Sequence, residues 1–362
     1  MNNAASTDSS SAVKPPITQF EQIRSAVELE FEVEESLIEY GIPTFYLKLK
    51  QDSKKAFLRL IKRLEPLGFA PLLKKKEDKT MLQVAPKPPV KPSKPEINIA
   101  LFLATIGTTL IAGYIISLGY VQNPMLGAVA FTAAIMAIFG SHEMGHKIVA
   151  NMHGIEATQP YFIPGPPPPY GFGTFGAVIQ QKSLAPNKDA LFDLGASGPI
   201  VGFIVSIIVT IIGIQMSHFS WVNEQPQGAV YMPILYELIA MTFLKIPQNL
   251  TQAKGLLLIP HPVALAGWLG MLVTMLNLIP AGMFDGGHAA RGSLGPRARS
   301  ILSAIAIAML FILGYYTFAI FALFLSLGQH PGPLDDVSKL TNSRKLATIA
   351  LISIFVLCLA PL

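Results

Sequence analysis

The sequence predicts a polytopic α-helical membrane protein of about six transmembrane helices, with a small soluble α/β region at its N-terminus. Three observations carry this expectation. Of the 362 residues, 51% are hydrophobic and only 14% charged, where a soluble domain has about a quarter charged. The charge is concentrated, since residues 1–96 hold 16 of the 27 Lys/Arg and 13 of the 22 Asp/Glu. The rest of the chain carries apolar stretches that suit a bilayer core of about 30 Å, which takes roughly 20 helical residues. A single soluble domain is therefore excluded. The net charge of +5 comes mostly from the head and linker, where it sets orientation in a membrane and does not mark a nucleic-acid partner.

Residues 1–18 are rich in Ser, Asn and Ala, with Asp8 and Lys14 the only charges and no apolar core of signal-peptide length. Disorder is the expectation there. Residues 19–85 read as a soluble α/β head: 44–49 alternates like a strand, and Asp52 or Ser53 can cap a helix whose Phe57, Leu60, Ile61 and Leu64 share one face. Gly68 ends that helix, and 69–74 and 80–85 read as strands. The head holds no catalytic constellation and reads as regulatory or interaction structure. Residues 86–96 are a Pro/Lys linker, in which PKPPVKPSKP makes an extended spacer with lysines placed to meet anionic lipid.

Residues 97–362 form the membrane-embedded domain. Spans are expected at 97–121, 125–150, 190–216, 262–281 and 301–327, with 346–362 just long enough. The stretch 228–244 is short and contains Pro233 and Glu237, so it is expected to lie along the outer interface without crossing. With the lysine-rich head cytosolic by the positive-inside rule, this reading puts both termini on the cytosolic side and leaves Arg344 and Lys345 outside. The lone cysteine, Cys358, excludes a disulfide within the chain.

The second expected span contains His142-Glu143-Met144-Gly145-His146. Residues four apart on a helix share a face, so both imidazoles can bind one metal ion with Glu143 beside it. In apolar surroundings such a cluster is costly to bury and marks a functional site. Zinc, one ion per chain, suits this pattern; it lowers the pKa of a bound water whose proton Glu143 can take. A catalytic zinc needs a third protein ligand. The candidates near membrane depth are Asp193, Glu237, Asp285 and His288, with His153 and Glu156 just past the helix. Asp285 is favoured by its setting, because Pro280, Gly282, Gly286 and Gly287 break the helix around it and let the carboxylate turn toward a metal.

Together these motifs resemble the site-2 protease family of intramembrane zinc metalloproteases, whose pattern pairs HExxH in one helix with N-x-x-P-x-x-x-x-D-G in a later one. Here the second motif runs from Asn277 to Gly286, with Leu278 and Phe284 where the family usually has Pro and Leu. The stretches GFGTFGAVIQQKS, GASGPIVG and PHPVALAGWLGMLVTMLNLIP are similar to the cyanobacterial and plastid branch, whose plant members are the ethylene-dependent gravitropism-deficient and yellow-green proteins.

This resemblance implies that His142, His146 and Asp285 are zinc ligands and Glu143 the general base. Asn277 is implied to hydrogen-bond the substrate backbone or the developing oxyanion. After the HEMGH helix comes a proline-rich loop and then Gly173, Thr174, Phe175, Gly176, Ala177 and Val178, a segment resembling the family's re-entrant β element, whose free edge would hold substrate. The expected activity is zinc endopeptidase cleavage of membrane-spanning protein substrates within or beside the bilayer, in a multi-pass protein of the plasma (inner) or thylakoid membrane. The alternative is a zinc-binding membrane protein without proteolysis, such as a metal transporter or assembly factor.

Overall fold

A computed structural model describes residues 17–49, 52–89, 92, 94–221, 232–244, 256–312, 314–328 and 331–359. The chain divides into two compact units. The first contains α1 (Ile17–Glu28), β1 (Glu32–Glu39), β2 (Ile42–Lys48), α2 (Lys54–Leu64), β3 (Phe69–Lys76) and β4 (Lys79–Pro86). The strands form an antiparallel sheet in the order β1-β2-β4-β3. The expected strands and helix of the head correspond to β2, α2, β3 and β4; Phe57, Leu60 and Leu64 are fully buried, and Gly68 closes the helix region with φ 77°. Neither α1 nor β1 was legible in the sequence. β1 reads EVEESLIE at the sheet edge, with no residue fully buried, so it lacks the alternation that marks a half-buried strand. The N-terminal stretch expected to be disordered lies, through residue 16, outside the described residues, as do residues 90, 91 and 93 of the linker.

Two segments distant in sequence, Ala185–Lys188 and Pro333–Lys339, belong to this first unit. Residues 334–336 run parallel along the open edge of β3: the Leu73 N–H donates to the Leu334 carbonyl at 2.8 Å, and the Asp336 N–H donates to the Leu73 carbonyl at 3.0 Å. Leu334 and Val337 pack against the core formed by α1, α2 and the sheet.

The second unit holds α3 (Pro95–Ser117), α4 (Pro124–Met152), β5 (Tyr161–Pro164), β6 (Thr174–Val178), α5 (Lys188–Met216), β7 (His218–Trp221), α6 (Ile234–Phe243) and β8 (Leu256–Ile259). It continues with α7 (Pro262–Asn277), α8 (Asp285–Ile312), α9 (Tyr316–Ser326) and α10 (Asn342–Cys358). Among the described residues four helices, α3, α4, α5 and α8, are long and apolar enough to cross a membrane, α8 only when its two arms on either side of Gly295 are taken together. Glycines bring the helices together. A Cβ at Gly213 of α5 would run into the backbone of Ala264 in α7, as small-residue packing between apolar helices requires. α6 has 10 residues, which is only about 15 Å of helix and too short to cross. Residues 228–231 of the stretch expected at the interface lie outside the described residues.

The stretch 301–327 is not one span. α8 bends at Gly295 (φ 82°) before Pro296, and the chain reverses between Ile312 and Tyr316, where Gly314 adopts φ 79°. The hydroxyls of Ser303 in α8 and Ser326 in α9 lie 3.2 Å apart; a straight helix would separate them by about 34 Å. Apolar composition is the same for one long span and for two antiparallel arms, so the sequence pattern could not separate them.

The direction of α10 changes as a result. Its first turn carries Arg344, whose Nε donates to Asp193 Oδ1 near the start of α5 at 2.7 Å, and Asp193 also meets His153 at the end of α4 at 2.9 Å. Its other end lies beside α6, where the Ile234 N–H donates to the Leu359 carbonyl at 3.2 Å. α3 starts near the end of α4 as well, with Asn98 Nδ2 donating to the Gln159 carbonyl at 3.1 Å. α10 therefore runs away from the level where α3 begins. The two ends of the described helical bundle thus lie at different levels, and Arg344 stands at the level of the α5 start, paired with Asp193.

Candidate metal centre

The α4 periodicity sets His142 and His146 one above the other, each 5% exposed, with their Nε2 atoms 3.1 Å apart. Asp285 Oδ2 lies 3.1 Å from His142 Nε2 and 3.2 Å from His146 Nε2. Among the described residues this is the one group of His, Cys, Asp and Glu arranged to share a metal ion. Tetrahedral zinc with ligand bonds of about 2 Å places its ligand atoms about 3.3 Å apart. The observed triangle of two imidazole nitrogens and one carboxylate oxygen fits that ion.

Local structure explains how Asp285 arrives there. α7 stops at Asn277, and the turn before α8 returns the chain so that Asp285 is the first residue of the new helix. At Gly286 any Cβ would collide with the Leu278 carbonyl, so only glycine lets the turn close. Arg299 donates from Nη2 to the Gly282 carbonyl within this turn.

The imidazole orientations are fixed from behind. His146 Nδ1 lies 2.7 Å from the Leu194 carbonyl oxygen, an acceptor only, so Nδ1 carries the proton and Nε2 presents its lone pair to the centre. Gly198 and Gly202 of α5 face the two rings; a Cβ at Gly198 would occupy the space of the His146 imidazole, and one at Gly202 would stand 2.9 Å from His142 Nδ1. Sequence reasoning had not given these glycines a role. Their spacing of four in an apolar helix was the available signal.

Glu143 is 6% exposed and lies close to the backbone N–H of Ile179, just after β6. Asn277 Nδ2 is 3.3 Å from His142 Nε2, so the Asn277 amide stands at the centre itself. The segment 173–178 forms β6, antiparallel to β5, with Tyr161 opposite Val178 and Phe162 opposite Ala177. The sheet has two strands, so the second edge of β6 is paired with no strand among the described residues. Gly173 is anchored to α3, its carbonyl accepting from Thr108 Oγ1 at 2.6 Å, while Phe175 and Val178 are exposed. Thr174 Oγ1 holds the β5 carbonyl of Ile163 at 2.8 Å and accepts from the Gly176 N–H at 2.9 Å.

The rival ligands are elsewhere. Asp193 is taken by Arg344 and His153, and His288, one turn beyond Asp285, is not among the grouped ligand atoms. Glu156 and Glu237 are likewise not in the group.

An HExxH pair on a membrane-length helix, completed by a carboxylate from the start of a later helix, defines the class of membrane zinc metalloproteases. Residues 130–321, more than half of the chain, match the profile of Peptidase family M50, and the chain belongs to that family. It is similar to the "Probable zinc metalloprotease EGY1, chloroplastic" of Oryza sativa subsp. japonica, with 29% identity over 63% of this chain and 40% of that protein. It is also similar to the proteins of the same name and of the name "Probable zinc metallopeptidase EGY3, chloroplastic" in Arabidopsis thaliana. The first is 27% identical over 73% of this chain and 53% of the relative, and the second 26% identical over 73% and 48%. The chain thus spans about half the length, or less, of the curated relatives it matches. No solved structure matches it.

Proposed function

We propose that this chain is an intramembrane zinc endopeptidase that cleaves membrane-spanning protein substrates within or beside the bilayer. The observation that carries the reading is the triangle of His142 Nε2, His146 Nε2 and Asp285 Oδ2 with the Glu143 carboxylate alongside. Zinc held by these atoms supplies a Lewis acid for the scissile carbonyl and its attacking water. Glu143 takes the proton of that water and passes it to the leaving amine. The Asn277 amide donates to the substrate backbone or the oxyanion as charge develops there. The open edge of β6 holds the substrate as an added strand, which requires the substrate helix to unwind and free its backbone groups.

In this reading residues 19–85 are the head, 86–96 the linker and 97–362 the membrane domain. In place of six straight spans, α3, α4, α5, α7 and α10 cross, while α8 and α9 fold as a hairpin that enters and returns. The Lys-rich side at which α3 begins is cytosolic or stromal by the positive-inside rule. The chloroplastic relatives favour a thylakoid over a plasma membrane.

The test compares membrane-protein fragments in cells carrying the chain with those in cells carrying Glu143→Gln. Fragments that vanish in the variant support proteolysis and name substrates; identical fragment patterns would return the protein to zinc binding without cleavage.

A further inference from the structure

The hairpin formed by the second arm of α8 and by α9 leaves a groove of about 460 Å³ between its arms. Arg299, Ser303 and Ser326 line one part of it, and Ile307, Phe311 and Leu323 line another. Arg299 is 7% exposed, and its Nε is buried without a hydrogen-bond partner. Its one hydrogen bond among the described residues goes to the neutral Gly282 carbonyl, and no described carboxylate pairs with it. Arg291 adds a second positive charge within electrostatic range. A buried guanidinium without a counter-ion is costly, and more so among apolar helices, so the position calls for an anion.

The apolar part of the groove limits what that anion can be. Phe311 and Leu323 are 38% and 46% exposed and face outward from the described bundle. A small inorganic anion would leave that surface uncovered, whereas an amphiphile with one anionic end and a hydrocarbon chain matches both parts of the groove.

We infer that this groove binds the anionic headgroup of a membrane lipid. The headgroup accepts from the Arg299 guanidinium beside the Ser303 and Ser326 hydroxyls, and an acyl chain follows Ile307, Phe311 and Leu323. The bound lipid lies beside the turn that delivers Asp285, because Arg299 also holds Gly282. The inference rests on the membrane placement of the helices and not on proteolysis.

The test uses the full chain, purified in a neutral detergent, stripped of lipid and examined by native mass spectrometry with phosphatidylglycerol or phosphatidylcholine. One phosphatidylglycerol should be retained per chain, with at least a tenfold preference over phosphatidylcholine. Arg299→Gln should lose that preference. Ile307→Trp, which fills the apolar part and leaves the guanidinium in place, should lower retention of phosphatidylglycerol on its own. Zinc content, measured on the same samples, reports whether each variant is folded. Equal retention of both lipids, or undiminished phosphatidylglycerol binding in a zinc-loaded Arg299→Gln or Ile307→Trp, would overturn the site. Displacement of the lipid by millimolar inorganic phosphate would also overturn it, since the groove would then be a plain phosphate site.

Discussion

The Nδ1 of His146 and the carbonyl oxygen of Leu194 lie 2.7 Å apart, and this bond ties a proposed metal ligand on α4 to the backbone of α5. Leu194 follows Asp193, which the Arg344 guanidinium and the His153 imidazole grip from two other helices. Arg344 also reaches Asp189 at 3.3 Å, and the Thr341 N–H donates to Asp189 at 3.0 Å. The start of α10 thereby holds the start of α5, which orients His146.

Arg344→Ala should therefore weaken zinc binding although it lies far from the metal in sequence. Partners that orient a metal-bound histidine are worth about 10- to 100-fold in affinity, and one link further removed should give the lower end, about 10-fold. Competition with a calibrated chelator measures this. Arg344→Lys keeps the charge but loses the planar fork, so it should recover only part of the loss.

Removing a ligand has a larger effect than loosening one. His146→Ala and Asp285→Ala should each lose most of the bound zinc, while Glu143→Gln should keep about one zinc per chain and lose cleavage. Metal analysis of purified variants beside a substrate assay separates the cases. Full zinc occupancy in Asp285→Ala would exclude that carboxylate as the third ligand.

The role of β6 can be probed at its exposed positions. Val178 stands opposite Tyr161 and is exposed. Val178→Pro fixes φ and removes a backbone N–H from the strand, so it should lower cleavage at least several-fold by distorting the edge that an added strand would use, with zinc content unchanged. Retained activity would rule out substrate addition at this edge.

The direction of α10 gives a labelling prediction. With Cys358 replaced by Ala, single cysteines at Gly154 and Ser343 should react with an impermeant thiol reagent from one side of the membrane, and those at Asn123 and Ser217 from the other. A pattern in which Ser343 labels together with Asn123 would restore the six-span arrangement.

The head offers a pH test. Burial raises the Glu30 carboxyl, but hydrogen bonds from Arg63 at 2.9 Å and Arg59 at 2.7 Å, with their charges, outweigh this and hold it below the usual carboxylate range. A carboxyl lowered on folding contributes stability above its unfolded value and loses it as pH falls through the folded one. Glu30→Gln should cost about 0.5 to 1 kcal/mol of head stability at neutral pH, because both arginines are largely exposed. The difference from the unmodified chain should vanish in acid below the folded value, as followed by thermal denaturation of the full chain.

The sequence by itself determined the features that repeat over a few residues. The spacing of His142 and His146 put both rings on one face because the helix turns in 3.6 residues, and the glycines and proline around Asp285 announced a broken helix. The contrast in charge separated the head from the apolar remainder, the alternation of 44–49 marked a strand, and 69–74 and 80–85 read as strands. Only the tertiary structure decided which carboxylate meets the imidazoles, since Asp193 and Asp285 both stand at helix starts and differ in what surrounds them: Arg344 and His153 for one, the α4 histidines for the other. It also decided that 301–327 folds back on itself, that α10 runs away from the level where α3 begins, and that residues 334–336 extend the sheet of the head. Each of these depends on contacts between segments far apart in the chain, where local propensity and hydropathy are the same for either outcome.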